Sequence, residues 1–334
     1  MRCWIRRVPK PHERGAVLLT VLLLVTFVSV VAVSIMDDIR FGILRTANTR
    51  LIEQAHWYAF GAEELAKVAI TESWRQDPGR STLNDVWARG PSTFPVGGGF
   101  IEGAIADGSN CFNLNSLVEA EGDRHFVRSA RGSAQYQNLL RLIGFTDGDA
   151  ASLTNTVTDW IDSDTVPGTG GAEDAYYLAL SPAYRTANTM IAQVSELRAM
   201  RGYDEDVYQR VRPYVCARRT NEPSTLNINT LTLEQAQLLV MLVGTDLEPQ
   251  AARQVITDRP QDGFQGQQDF WSHRSFAGID ISSEVKDQVS VRSRYFTVRS
   301  EVVLAQAYVA LESVFEQTVG GEVSLVSRQF GAVP

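Results

Sequence analysis

Residues Ala16 to Met36 are 21 consecutive positions without a charge, interrupted only by the hydroxyls of Thr20, Thr26, Ser29 and Ser34. A helix needs about 20 such residues to cross the hydrocarbon of a bilayer. Arg2, Arg6, Arg7, Lys10 and Arg14 precede the run, with only Glu13 opposing them. That flank predicts a cytoplasmic N-terminus and places the remainder of the chain on the far side of the membrane. Ala32-Val33-Ser34 also offers a small-x-small cutting site, so a cleaved signal peptide with a product starting at Ile35 competes with a retained anchor. The run is longer than a usual signal core, however, and the residues after it do not read as the start of a free domain.

From Asp37 to Gln76 there is no proline, and small or apolar residues recur at Ala47, Leu51, Ala55, Tyr58, Ala62, Leu65 and Ala69. Steps of three and four describe one face of an amphipathic helix. Pro78 and Gly79 end it. A continuous helix over 16–76, with 16–36 in lipid, spans about 90 Å at 1.5 Å per residue, so its distal part can pack on a folded head. The whole chain has 334 residues, 44% of them hydrophobic, which suffices for one large or two medium cores. Beyond Gly15 it carries 26 basic and 38 acidic side chains, a formal charge of −12. Such a body disfavours nucleic acid as the main partner and is compatible with bound cations.

A basic leader ending in Gly15, an uncharged run directly after it and a long helix feeding a β-rich head resemble type IV pilins and type II secretion pseudopilins. The resemblance implies that a prepilin peptidase cuts on the cytoplasmic side between Gly15 and Ala16, removing a leader of residues 1–15, with methylation of the new amine. The uncharged run would then first target the chain and afterwards anchor it. Those families usually carry glutamate five residues into the mature chain, where this sequence has Thr20. A lone carboxylate in lipid is costly unless paired. A subunit with none ahead of it has no partner for one, so Thr20 implies a tip position.

The stretches "CFNLNSL" (111–117), "DWIDSD" (159–164), "GAEDAYYLALSPAYRTAN" (171–188), "SELR" (195–198), "RPYVC" (212–216) and "LNINT" (226–230) narrow the resemblance to the large minor pseudopilin K family of type II secretion. It implies a single-pass inner-membrane protein with its head in the periplasm. Its implied partners are the minor pseudopilins I and J, joined through N-terminal helices at the tip of a short filament. Leu51 and Ala55 are the candidate contacts on the 39–76 helix face, and charging either should abolish assembly with the head still folded.

The remaining sequence predicts an α+β fold with a pilin-like antiparallel sheet. Residues 97–109 have glycine-punctuated strand character. Phe296, Val298, Val302 and Leu304, then Val309, Leu311 and Phe315 after a turn near Gln306, alternate as in a hairpin. Helical periodicity dominates between them, as at Tyr136, Leu139, Leu140 and Ile143. We therefore expect a head of 77–111 and 285–334 and an inserted helical domain of 112–284. The insertion repeats itself: "NLNSL" (113–117) and "NINTL" (227–231) each precede an apolar helix ending at Gly144 or Gly244 and a second amphipathic helix. Asn, Ser and Thr suit the starts of those helices. The pattern is similar to helix-hairpin-helix modules that grip DNA phosphates. Neither copy keeps their Gly-x-Gly hairpin, so a structural duplication is favoured over a binding module of the DNA-uptake type.

"DWIDSDTVPGTGGAEDAYY" (159–177) gathers acids around glycines. With Asp162 at position 1 of a calcium loop, Asp164 and Glu173 fall at 3 and 12, but Val166 and Pro167 at 5 and 6 break the EF-hand pattern. Hard oxygen ligands favour Ca²⁺ over transition metals; the alternative is a solvated loop with Asp side chains capping turns. The resemblance also implies calcium, with Asp162, Asp164, Glu173 and Asp174 as matching acids and Asn188 by its place in the motif. Cys111 and Cys216 flank the first part of the insertion, and Cys3 would leave with the leader. A bridge between the mature pair fits an oxidising compartment and is worth roughly 2 to 4 kcal/mol, the alternative being two buried thiols. No nucleophile elbow, phosphate loop or clustered histidine set is present in the sequence, so we expect no enzyme.

Overall fold

The computed structural model describes residues 11–122 and 125–331. Helix α1 runs unbroken over Pro11–Gln76. Of the expected leader, residues 1–10 lie outside the described residues, and the Gly15–Ala16 junction falls within the helix. Val17 to Met36 are exposed, and this is the one helix among the described residues long and apolar enough to cross a membrane. Three of the four hydroxyls in this apolar run find partners within the helix. Thr20 Oγ1 donates to the carbonyl of Val17 at 2.9 Å, Thr26 to Leu22 at 2.8 Å and Ser29 to Val25 at 2.8 Å. Polar atoms satisfied within the helix are tolerated in lipid.

The distal part of α1 seals one face of a five-stranded antiparallel sheet, ordered β1 (Ser92–Val96), β2 (Gly99–Asp107), β3 (Tyr295–Leu304), β4 (Ala307–Gln317) and β5 (Val323–Phe330). Phe296, Val298, Val302 and Leu304 of β3 alternate inward, as do Val309, Leu311 and Phe315 of β4, as a half-buried sheet requires. The β3–β4 turn passes through Ala305, whose φ of +52° is unusual for a residue with a side chain. Strand β1 goes unrecognised in the sequence because Pro95 interrupts it. It is tolerated because β1 is an edge strand.

Against this face α1 presents Ala55, Ala59, Ala62, Glu63, Ala66 and Ile70, all buried. This corrects the expected assembly contacts. Ala55 is fully buried against Val302, Leu304, Val309 and Leu311, and Leu51 packs at the rim of the same cluster. Leu65, expected on that face, is 54% exposed. The periodicity misleads because one core position is charged. Glu63 sits in the seam, where its Oε1 accepts from Arg328 Nε at 2.9 Å and its carboxylate takes the Ser313 hydroxyl. Small residues inward let the helix approach the sheet. Trp57, Leu65 and Val68 point outward.

Between β2 and β3 the chain forms a helical domain around one large core running from Phe112 to Val289. Packing onto this core extends to Val285 and Val291, past the boundary expected at residue 284. Two helix pairs dominate it: α2 (Ala130–Leu142) with α3 (Asp147–Ile161), and α6 (Ala236–Val243) with α7 (Pro249–Thr257), separated by α4 (Asp174–Tyr177) and α5 (Glu205–Val211). Gly144 and Gly244 follow α2 and α6 with φ of +95° and +99°, the left-handed turn that glycine accommodates best. Phe112–Asn113 pairs in parallel with Val215–Cys216, and Leu226–Asn227 with Val289–Ser290. Beside the first pairing, Cys111 and Cys216 form a disulfide with a Cα–Cα distance of 5.7 Å.

The buried seat of α1 makes a specific prediction. Ala55→Asp places an unpaired charge in the core and should lower stability by about 3 kcal/mol or more, whereas Leu65→Asp should leave the thermal midpoint within a few degrees of the parent. Thermal unfolding of the two variants in detergent is the check, and equal midpoints would contradict the packing described.

Candidate metal centre

Helix α3 delivers the site. Thr146 caps its N-terminus by accepting from Asp149 N at 3.2 Å, and its last turn closes where Asp162 N donates to the Thr158 carbonyl at 2.8 Å. Asp162 is thus held at the helix end. The glycine-rich loop beyond it is tied back onto the same helix: Asn155 Nδ2 donates to the Thr169 carbonyl at 2.8 Å and Ser152 Oγ to Gly170 at 2.7 Å. The loop returns Glu173 to the start of α4.

One ligand oxygen from each of Asp162, Asp164 and Glu173 lies within 4.8 Å of the others. Asp162 and Glu173 are only 5% and 3% exposed, and Asp162 Oδ1 and Glu173 Oε1 are buried without a hydrogen-bond partner. Burial, then the charges of Asp164 and Asp159, pushes the Asp162 carboxyl up to about 7. Burial, then Asp162 and Asp159, pushes Glu173 up to about 7 as well. Asp164 is exposed and closes a turn by accepting from Val166 N at 2.7 Å.

Asp159, buried one turn before Asp162, organises the loop. Both its oxygens accept from Gly168 N at 3.1 Å, and Arg128 lies 3.6 Å away. Burial raises its carboxyl above the ordinary range. A Cβ on Gly171 would stand 2.0 Å from Asp159 Oδ2, so only glycine fits there. In sequence, Asp159 reads as one more acid of the motif. The signal for its separate role is its spacing three residues before Asp162, which puts both carboxylates on one helix face.

The expected ligand Asp174 is not among the three converging acids. The Asp174 carboxylate accepts from Thr186 N at 3.0 Å, Thr186 Oγ1 at 2.9 Å and Arg185 Nη1 at 3.2 Å, so its charge is already compensated. Asn188 is exposed, with φ of +43°, and its backbone N–H joins the Trp160 carbonyl at 3.0 Å.

The donor chemistry suits a hard cation. Two buried carboxylates forced together each leave one oxygen without a donor, and a divalent ion supplies what both oxygens are missing. Oxygens 2.3–2.6 Å from Ca²⁺ stand up to about 5 Å apart across the ion, whereas those around Mg²⁺ at 2.0–2.1 Å reach only about 4.2 Å. The oxygens of Asp162, Asp164 and Glu173, all within 4.8 Å of one another, fall inside the reach of a calcium shell.

Comparison with known proteins bears on the whole chain. Residues 110–220 and 226–292 each match a family model described as type II secretion system, protein K. Type II secretion system protein K of Pectobacterium carotovorum is 32% identical over 96% of this chain and 98% of its own length. That of Aeromonas hydrophila is 33% identical over 96% and 98%. A chain in the crystal structure of the GspK-GspI-GspJ complex from enterotoxigenic Escherichia coli superposes with a TM-score of 0.76 at 29% identity, covering 86% of this chain and 99% of that one.

The raised carboxyls set a pH dependence with a definite sign. Without a cation, folded Asp162 and Glu173 keep their protons until about pH 7, whereas in the unfolded chain they titrate near 4. The native state binds more protons across that window, so stability falls as pH rises through it. The chelated protein should melt roughly 5–10 °C lower at pH 8 than at pH 5.5, and saturating calcium should abolish the difference. A chelated protein that melts higher at pH 8 would contradict the burial of this pair.

Proposed function

The chain belongs to the type II secretion system protein K family, and from that membership we propose that it is the tip subunit of the pseudopilus, a structural rather than catalytic component. It is a membrane-anchored minor pseudopilin of type II secretion. In the proposed reading its anchor lies in the inner membrane and its head in the periplasm. There it joins the minor pseudopilins I and J, starts a short filament and caps it for protein export.

The observation that carries this reading is the division of α1 into two faces. One face is consumed by the chain's own sheet. The other presents Trp57, 73% exposed, with Leu65 and Val68, an apolar stripe at helical spacing next to a membrane-length segment. Side chains of this size cover little of their own head and suit packing against neighbouring helices. The likeness to a chain of the GspK-GspI-GspJ complex names the partners. Thr20, uncharged and satisfied within its own helix, fits a subunit with none ahead of it. Calcium is the proposed ion at Asp162, Asp164 and Glu173, where it would neutralise the buried carboxylates and hold the loop after α3. A DNA-uptake module is the weaker reading, since the body is acidic and the family is one of secretion.

Two measurements test the proposal. Made together with a prepilin peptidase, the protein should yield a mature N-terminal peptide whose mass starts at Ala16; a start at Ile35 would mean a cleaved signal and a product without an anchor. Leu65→Asp should reduce co-purification with pseudopilins I and J by about tenfold, the equivalent of 1.4 kcal/mol, while the head stays folded. Undiminished complex formation by that variant would rule out the outward face as the contact.

A further inference from the structure

The helical domain contains its own internal comparison. One copy of the duplicated unit runs from Phe112 to Cys216 and the other from Leu226 to Ser290, each opening and closing on a two-residue parallel pairing. Within each, a buried asparagine grips one distant backbone residue from both sides. Asn115 donates to the Ile191 carbonyl at 2.9 Å and accepts from Ile191 N at 2.8 Å. Asn229 does the same to Phe264 at 3.1 and 2.7 Å. Five residues beyond the gripped position, Glu196 and Asp269 turn back to accept from the backbone amides of Ala192 and Gln265, at 2.8 and 3.0 Å. Leu197 and Phe270 come next and enter the core. The frame is therefore the same on both sides of one loop.

The largest difference lies in that loop; the first copy also carries a short strand pair, Val118–Ala120 with Phe126–Arg128, ahead of its first helix. Both α3 and α7 end on an aspartate, Asp162 and Asp258. The second copy passes from Asp258 to Phe264 directly and answers the carboxylate with its own histidine and arginine, His273 Nε2 at 3.2 Å and Arg274 Nη2 at 3.0 Å. The first copy takes the long path from Asp162 to Ile191, along which Asp164 and Glu173 join an Asp162 whose Oδ1 is buried without a partner. One copy shows how the unit closes without the acids; the other has acquired them together with extra chain.

We propose that residues 163–190 are an accessory element added to one copy of a duplicated unit, ordered by a divalent cation at Asp162, Asp164 and Glu173, while the two-copy helical frame stands without it. This rests on the cation reading given above. The element exposes Tyr176, Leu178 and Leu180 at the surface and turns Tyr177 inward over Trp160, with ring centroids 5.3 Å apart. Calcium therefore governs the shape of one local surface rather than the folding of the subunit.

Hydrogen exchange of the full chain in detergent micelles, in calcium chloride and in EGTA, is the test. Chelation should speed amide exchange by about tenfold or more within 163–190 and leave α2, α6 and α7 within about twofold. Acceleration spreading through α6 and α7 would overturn the proposal, because calcium would then hold the whole frame. If the loop exchanges alike in both conditions, the cation reading fails and with it the ordering by calcium. The accessory status is then decided separately by replacing residues 163–190 with residues 259–263 of the second copy. Retained protection of α6 and α7 upholds an added element, and its loss refutes one.

Discussion

The seat of α1 on the sheet is the contact on which everything else depends. A single helix both carries the apolar, exposed segment and supplies one wall of the core of the head, with Ala55, Ala59 and Ala62 against Val302, Leu304, Val309 and Leu311, then Ala66 and Ile70 against Phe296, Val298 and Phe315. Small side chains at the contact bring the helix backbone close to the sheet. At about 25 cal/mol per Å² of apolar surface, lifting the helix would forfeit most of what holds the sheet's inner face. The rotation of α1 is consequently set by the head. That rotation in turn decides which residues are left to meet a neighbour.

The insertion hangs from the same sheet by a dense polar junction. Arg218 lies 3.9 Å over the Tyr295 ring, 3.3 Å from Cys111 Sγ, and donates to the Gly108 carbonyl, joining the end of the first copy to both strands that flank the insertion. Burial pushes its guanidinium down to about 10, still cationic at neutral pH. Asn227 continues the junction by donating to Ser293 Oγ at 2.9 Å and to the Ser81 carbonyl at 3.1 Å, while its own N–H meets Asn110 Oδ1 at 2.8 Å. A buried network with its members satisfied rigidifies where a half-satisfied one would cost stability. The Cys111–Cys216 bridge closes the same corner covalently.

Periodicity made much of this legible. The membrane-length run, the long helix, the β3–β4 hairpin and the duplicated helix pairs all arise from apolar spacing and all appear in the structure, with Gly144 and Gly244 closing α2 and α6. What spacing could not reveal were positions where a polar residue takes the place of a core residue. Glu63 faces inward because Arg328, far along the chain, comes to meet it, and without knowledge of that pairing the inward stripe reads as Leu51, Ala55 and Leu65 rather than Ala55, Ala59 and Ala66. The acidic motif shows the same limit. Asp162, Asp164 and Glu173 converge, whereas Asp174 is neutralised by Thr186 and Arg185, a contact that depends on how the loop folds back.

Duplication explains how a fold can tolerate such a cluster. Burial, and after it the charge of neighbouring carboxylates, raises the proton affinity of Asp159, Asp162 and Glu173, an arrangement that destabilises a domain unless a cation intervenes. The second copy carries no comparable load: α6 packs Leu238, Leu239, Val240, Met241 and Leu242 into the common core, and Asp258 at the end of α7 is matched by basic neighbours. Because both copies share one continuous core, the apolar half supports the acidic half. A single-copy domain with the same carboxylates would have to derive its folding from the ion. With two copies, the proposed cation would be left to act on the loop that holds it.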